Sequence, residues 1–200
     1  GFIKDGKQRE YYEGLSATVP EKEPLRENSI YDIASLTKVV LTTTMILQLW
    51  QEGKLAIDDK VRQYLPTFSA QAVTIRHLLT HTSGLEGYIP NRNSLSAKEL
   101  KQAILHLPVG KGFGEEVRYT DTGFILLGFI IEEIEQDTLA NLFAARVSRP
   151  LDLKDTSYHT IDLKKWVPTE IDKKRGMIKG EVHDTKTYIL GNKSGSAGIF

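Results

Sequence analysis

The chain has 200 residues, 40% of them hydrophobic, enough to bury one sizeable core or two small ones. Lys+Arg and Asp+Glu number 26 each, so the formal charge is zero and nothing argues for nucleic acid as a partner. The absence of cysteine excludes a thiol nucleophile, a disulfide framework and a thiolate metal site, and leaves the compartment open.

The start, Gly1 to Gly6, reads as a strand running into a turn, without a basic-then-apolar signal pattern. Residues 2–4 and 9–15 are predicted to pair as a hairpin about Asp5-Gly6-Lys7, with Tyr11, Tyr12 and Leu15 favouring strand. The polar stretch 20–28 is predicted as loop. Ile30, Ile33 and Ala34 then lead into a helix over 36–52. Its apolar positions Leu36, Val40, Leu47 and Trp50 recur at helical spacing, widened by Val39, Ile46 and Leu49. A central, well-buried helix is expected, stopped at Gly53.

A short helix is predicted over 58–65 before Pro66. Another starts at Thr74, turns Ile75, Leu78 and Leu79 inward, and ends near Thr82-Ser83-Gly84. Ser96 caps a helix over 97–107, with Glu99 completing a capping box. Pro108, Gly110, Gly112 and Gly114 make a loop, after which Thr120 or Asp121 caps a helix to about Glu135. The apolar run 124–131 within it is too short to span a bilayer and is followed by Glu132, Glu133 and Glu135, so no transmembrane segment is predicted. A further helix from Thr138 to about Val147 ends at Pro150. After Asp155 no helical period persists, and Gly191-Asn192 and Ser194-Gly195-Ser196 read as loop punctuation. The pattern is two or three short strands followed by a mostly helical lobe.

Ser35-Leu36-Thr37-Lys38 lies where the extended segment becomes helix. A serine hydroxyl needs a neighbouring base, and residues three apart share a face if the first turn is helical. The positive helix end and apolar neighbours disfavour the Lys38 ammonium, which suits it to that role. The Ser35 N–H, among the unpaired donors of a helix start, can face a developing oxyanion. The same residues also describe a helix cap followed by a solvated lysine. Tyr119, between the glycine-rich loop and an apolar helix, can relay a proton; it can equally be an aromatic closing the loop. Asp121 can accept from Lys38, meet a substrate amide or cap its helix.

The histidines carry less. His77 and His81 are four apart with Glu86 near, but no HExxH order is present, and neither a metal nor a cofactor is predicted. His81 is expected to hold backbone groups of the 80–84 turn. His183-Asp184 can form a dyad with a serine, although a structural hydrogen bond is the expectation. Gly110-Lys111-Gly112 lacks the spacing of a phosphate or dinucleotide loop.

Four segments together resemble the beta-lactamase-related serine hydrolases, which include class C beta-lactamases, penicillin-binding D-alanyl-D-alanine carboxypeptidases and several esterases. They are Tyr31 to Lys38, Ile75 to Leu85, Tyr119 to Phe124, and Val182-His183-Asp184 with Leu190-Gly191 and Ala197 to Phe200. The resemblance implies an α/β (α+β) fold of beta-lactamase/transpeptidase type, as one partial domain over 1–200. A largely helical lobe would carry an N-terminal hairpin of an antiparallel sheet. It implies Ser35 as the acylated residue, Lys38 and Tyr119 as its proton-moving partners, and Asp121, His81, Gly84 and Gly195 as substrate-binding or supporting residues. The implied substrates are small molecules or peptides with peptide, ester or beta-lactam carbonyls, with carboxypeptidase or esterase activity ahead of lactamase and no cofactor. The alternative is a non-catalytic module that binds a cell-wall peptide or a partner protein. An extracytoplasmic or cell-envelope setting is favoured by the resemblance, with the cytoplasm left open.

Two departures qualify this. Asp121 stands where true beta-lactamases usually have Asn, and an acid there is expected to repel a substrate carboxylate. A third motif of KTG or HxG type, on a strand of the sheet, does not occur by Phe200; Lys193-Ser194-Gly195 mimics it but falls in the earlier glycine-rich loop. The N-terminal helix of the family is also not seen before Gly1. With C-terminal strands missing, an unpaired sheet edge is expected, open to a completing chain or to self-association. One oxyanion donor would then remain, and losing the other costs about 2.7–4 kcal/mol. The 200 residues alone are expected to make a poor enzyme.

Overall fold

Asp5 and Gly6 both adopt left-handed backbone, φ 52° and 71°, as a two-residue hairpin turn of the primed type requires. In this computed structural model, which describes residues 1–159 and 162–200, the turn joins β1 (Phe2–Lys4) to β2 (Lys7–Arg9). Lys4 stands opposite Lys7 and Phe2 opposite Arg9. The second strand is therefore 7–9 and not the predicted 9–15, because so tight a turn pairs the residues that follow it directly. Leu15–Ala17 forms β3 and pairs with β4 (Glu23–Pro24), inside the stretch predicted as loop. Both β1 and β2 are exposed throughout.

The helix predicted over 36–52 begins earlier and is irregular. A 3₁₀ turn at Ala34–Leu36 passes into π-helical turns at Lys38–Thr43 and then into α1 (Thr44–Gln51). Gly53, with φ 70°, lies just past its end. Its buried face is Thr37, Lys38, Leu41, Thr42, Met45, Ile46 and Leu49. Leu36, Leu47 and Trp50, expected to face inward, are 60%, 45% and 53% exposed, and Val40 is half-buried. The spacing is helical, but the segment carries two apolar stripes and the core takes the one that includes threonines, so the expected inward face is the outer one.

The predicted helix at 58–65 is a single 3₁₀ turn, Val61–Gln63. Helix α2 (Ile75–Leu79) is short, and α3 (Ala97–Leu105) starts at the expected capping box, with Ser96 N–H donating to Glu99 Oε2 at 2.8 Å. The central helix is α4 (Asp121–Glu135), in which the Thr120 hydroxyl accepts from the Thr122 N–H and so serves as the cap. It is buried at every residue from Thr122 to Gly128 and again at Ile130 and Ile131. Its apolar run has no polar face until Glu132, so it can sit only inside the molecule. Around it pack α2, α3, the 34–51 stretch and α5 (Leu139–Phe143), which continues in π-helical turns to Ser148. Arg146 binds Glu52 and Glu135, and Lys54 donates to Glu135 at 2.7 Å, tying the ends of α1, α4 and the α5 extension together.

The tail, which sequence periodicity left unassigned, holds β5 (Glu170–Asp172) and β6 (Gly176–Ile178) as an antiparallel hairpin, followed by α6 (Thr185–Ile189). Among the described residues no helix is long and apolar enough to cross a membrane.

Candidate active site

The turn that presents Ser35 is set by Asp32. One carboxylate oxygen accepts from the Ala34 N–H at 2.7 Å, and the other from the His183 N–H at 2.9 Å. Ala34 then takes φ 46°, a left-handed conformation that costs a residue with a Cβ energy and that gathers at functional sites. Residues 197–200 brace the turn from the other side: Ile33 N–H donates to Ile199 C=O at 3.1 Å, and Ile199 N–H to the Thr37 hydroxyl at 3.3 Å. Ser35 emerges exposed at the cleft, while Lys38, one turn on, is 3% exposed.

Lys38 Nζ donates to three oxygens: Ser35 Oγ at 2.9 Å, Asp121 Oδ1 at 2.8 Å and the Ser196 carbonyl at 3.1 Å. An ammonium has three N–H donors, and all three are used. The same nitrogen lies 5.1 Å from the centre of the Tyr119 ring and 5.9 Å from that of Phe124.

Asp121 opens α4, and its second oxygen, Oδ2, is 3.3 Å from Lys186 Nζ on α6. Lys186 is a second buried lysine, its side chain 8% exposed. Burial pushes the Asp121 carboxyl up. The hydrogen bond and charge of Lys38, joined by those of Lys186, outweigh burial and hold the carboxyl below its usual range.

Tyr119 is 60% exposed beside this cluster, its ring 4.5 Å from that of His81. His81 Nδ1 accepts from the Thr120 N–H at 3.3 Å, and its carbonyl accepts from the Arg118 N–H at 2.8 Å. Burial, then the charge of Lys38, push its imidazole below its ordinary range against an opposing pull from Asp121. His81 therefore reaches across to hold residues 118–120, and not the 80–84 turn as expected.

The two glycines act through packing. Gly84, at φ 64°, accepts from the Gly110 N–H at 2.8 Å, and a Cβ there would meet Val109 Cγ1 at 3.1 Å. It clasps the two loops that run beneath the site. Gly195 lies directly on α4: a Cβ would stand 2.1 Å from the Phe124 carbonyl oxygen. Thr42 Oγ1 donates to its carbonyl at 2.7 Å, and the next carbonyl, of Ser196, is the one that reaches Lys38. Buried hydroxyls of Thr187, Ser194 and Ser196 bond one another, and Tyr158 OH donates to the Ser194 carbonyl at 2.6 Å. Lys193-Ser194-Gly195 thus belongs to a braced loop outside any strand, as expected.

His183 and Asp184 form no dyad. Asp184 caps α6 by accepting from the Thr187 N–H at 2.7 Å, and the His183 ring nitrogen Nε2 is 3.4 Å from Glu170. His77 closes its own helix cap, with Nδ1 accepting from the Thr74 N–H at 3.2 Å. Ser35 and Asp121 open onto a cleft of about 460 Å³ whose other walls include Glu170, Arg175 and His183. Three residues that sequence reasoning missed complete the site: Asp32, Lys186 and Ser196. Asp32 carried a signal, an Asp two residues before a turn. Lys186 and Ser196 carried none.

A family model described as Beta-lactamase matches residues 1–198. Penicillin-binding protein 4* of Bacillus subtilis (strain 168) is 34% identical over 184 residues, covering 87% of this chain and 40% of that protein. A putative D-alanyl-D-alanine carboxypeptidase of Salmonella agona (strain SL483) is 29% identical over 208 residues, covering 86% of this chain and 48% of the relative. Among solved structures, a class C beta-lactamase in complex with cefoxitin superposes with TM-score 0.78 at 21% identity, over 98% of this chain and 53% of that one. That likeness shows the fold, which is of the beta-lactamase/transpeptidase type. The chain spans half or less of the length of the curated relatives it matches.

Proposed function

Since this chain belongs to the beta-lactamase family, we propose that it carries the acylation site of a serine hydrolase, with Ser35 as nucleophile and Lys38 and Tyr119 as its proton-moving partners. The observation that carries the reading is the 2.9 Å contact between the buried Lys38 nitrogen and Ser35 Oγ. Of the three oxygens around Lys38, two can only accept, a carboxylate and a carbonyl. The third, a hydroxyl, can also donate. When Lys38 is neutral its two N–H groups serve Asp121 and Ser196, and its lone pair is left to take the Ser35 proton.

In the reaction, Ser35 Oγ bonds to the substrate carbonyl carbon and its proton passes to Lys38. Tyr119, whose ring lies 5.1 Å from the Lys38 nitrogen, hands a proton to the departing amine or alcohol as the scissile bond breaks and regains one from Lys38. Water then attacks the Ser35 ester, releasing the acid and restoring the hydroxyl. The substrate class is a D-amino-acid peptide or a short ester, of carboxypeptidase or esterase type, a reading supported by the relatives described as carboxypeptidases. Its charge pattern fits as well. Asp121 sits between two lysines, whose positive charge offsets its own toward a substrate carboxylate.

The test is intact-protein mass after incubation with a fluorophosphonate. One adduct is expected on the protein and none on Ser35→Ala. Labelling that survives in S35A, or its absence from the parent protein, overturns the reading and leaves a binding module.

A further inference from the structure

We propose, resting on the acylation reading above, that Lys186 is a positioning residue for Lys38: it supplies the counter-charge to Asp121 that allows Lys38 to become neutral and act as a base.

The resting geometry makes Lys38 a donor to Ser35, so it must lose a proton before it can accept one. That loss removes a positive charge 2.8 Å from Asp121, whose side chain is 29% exposed. A partly buried carboxylate left alone would draw the proton back. Lys186 prevents this from the other side of the carboxylate, 3.3 Å from Oδ2. With Lys186 present the three-residue cluster passes from net charge +1 to 0 as Lys38 becomes neutral; without it, from 0 to −1. Lys186 bonds neither Ser35 nor Lys38 in the structure and acts through Asp121.

The other charged and titratable groups facing the cluster are engaged elsewhere. His81 holds Thr120, and the Tyr119 ring packs at a tilt against it, with its face 5.1 Å from Lys38. From the β5–β6 hairpin, Arg175 pairs with Glu181 at 3.2 Å, Asp172 accepts the Lys174 and Arg175 N–H groups, and Glu170 faces His183. Asp184 caps α6. Among the described residues, Lys186 is therefore the cation placed to answer Asp121 when Lys38 gives up its charge.

The experiment measures the rate of Ser35-dependent fluorophosphonate adduct formation against pH in the parent protein, Lys186→Met and Lys186→Arg. A like charge held on the far side of a shared carboxylate lowers an ammonium's titration by about one unit. The acidic limb of the K186M profile should move up by about one unit, making labelling on that limb about tenfold slower while the high-pH plateau is reached. K186R, which keeps a cation, should return most of that shift. A K186M limb that stays in place, or a loss equal at all pH values that K186R shares, overturns the proposal. If K186M does not fold, Lys186→Gln, which keeps a polar side chain beside Asp121 without the charge, is read in its place, and a limb that stays where the parent has it overturns the proposal. Ser35-dependent labelling in the parent protein separates failure here from failure of the acylation reading.

Discussion

Two helical stretches meet where Lys38 contacts Asp121, and they are built in opposite ways. Helix α4 opens on a side-chain cap, runs regularly for 15 residues and is buried along nearly its whole apolar length. The 34–51 stretch opens on a strained alanine, changes from 3₁₀ through π to α, and leaves Leu36, Val39, Leu47 and Trp50 exposed. The contrast divides the labour. α4 is the fixed reference that holds Asp121, whereas the irregular stretch spends local regularity to bring Ser35 to the surface and keep Lys38 buried. Departures from α geometry of this kind are common at functional sites.

The contrast is most easily broken at Gly195, where the loop supplying the Ser196 carbonyl rests on α4. Gly195→Ala puts a Cβ 2.1 Å from the Phe124 carbonyl oxygen, and the loop must lift away. The expected loss is about 3 kcal/mol or more by denaturant unfolding, together with loss of Ser35 labelling. A G195A protein of parental stability would show that α4 is not the reference surface.

A paired truncation sharpens the same contrast. Ile125→Ala, on a fully buried α4 side chain, should cost about 2–5 kcal/mol. Leu47→Ala, on the exposed stripe of α1, should change stability by less than about 1 kcal/mol. A Leu47→Ala loss as large as that of Ile125→Ala would mean that the outer stripe of the 34–51 stretch is packed in solution.

The smallest effect is electrostatic. The Asp121 carboxyl titrates below its unfolded value of about 3.9, so its pairing stabilises the fold above that pH and is lost as pH falls through the folded value. Unfolding free energy measured from pH 6 down to pH 2 should therefore fall less steeply in Asp121→Asn than in the parent. An unchanged acid limb would mean that the Lys38–Asp121–Lys186 cluster does not couple to the fold.

Much of the site was legible because its parts are local. Ser35 and Lys38 lie three apart at a helix start, Tyr119 and Asp121 flank a cap, and the Ser96–Glu99 box marks a helix within four residues. Each pattern needs only neighbouring residues to be read. The errors came where a second surface decides. Tyr11 and Tyr12 have strand-forming side chains, yet the Asp5-Gly6 turn closes the ladder at Arg9. His81 sits in one turn and bonds another.

The sequence by itself determined the helical lobe, the Ser35–Lys38 pairing and the family, because helix caps, apolar periods and residue spacing are encoded within short stretches. Only the tertiary structure decided which apolar stripe of 34–51 meets the core, since either satisfies the helical period and only contact with α4 distinguishes them. It alone joined Lys186 to Asp121 and Ser196 to Lys38, which are partners across 65 and 158 positions of chain. Interactions of that range depend on where the folded backbone returns, and no local spacing encodes them.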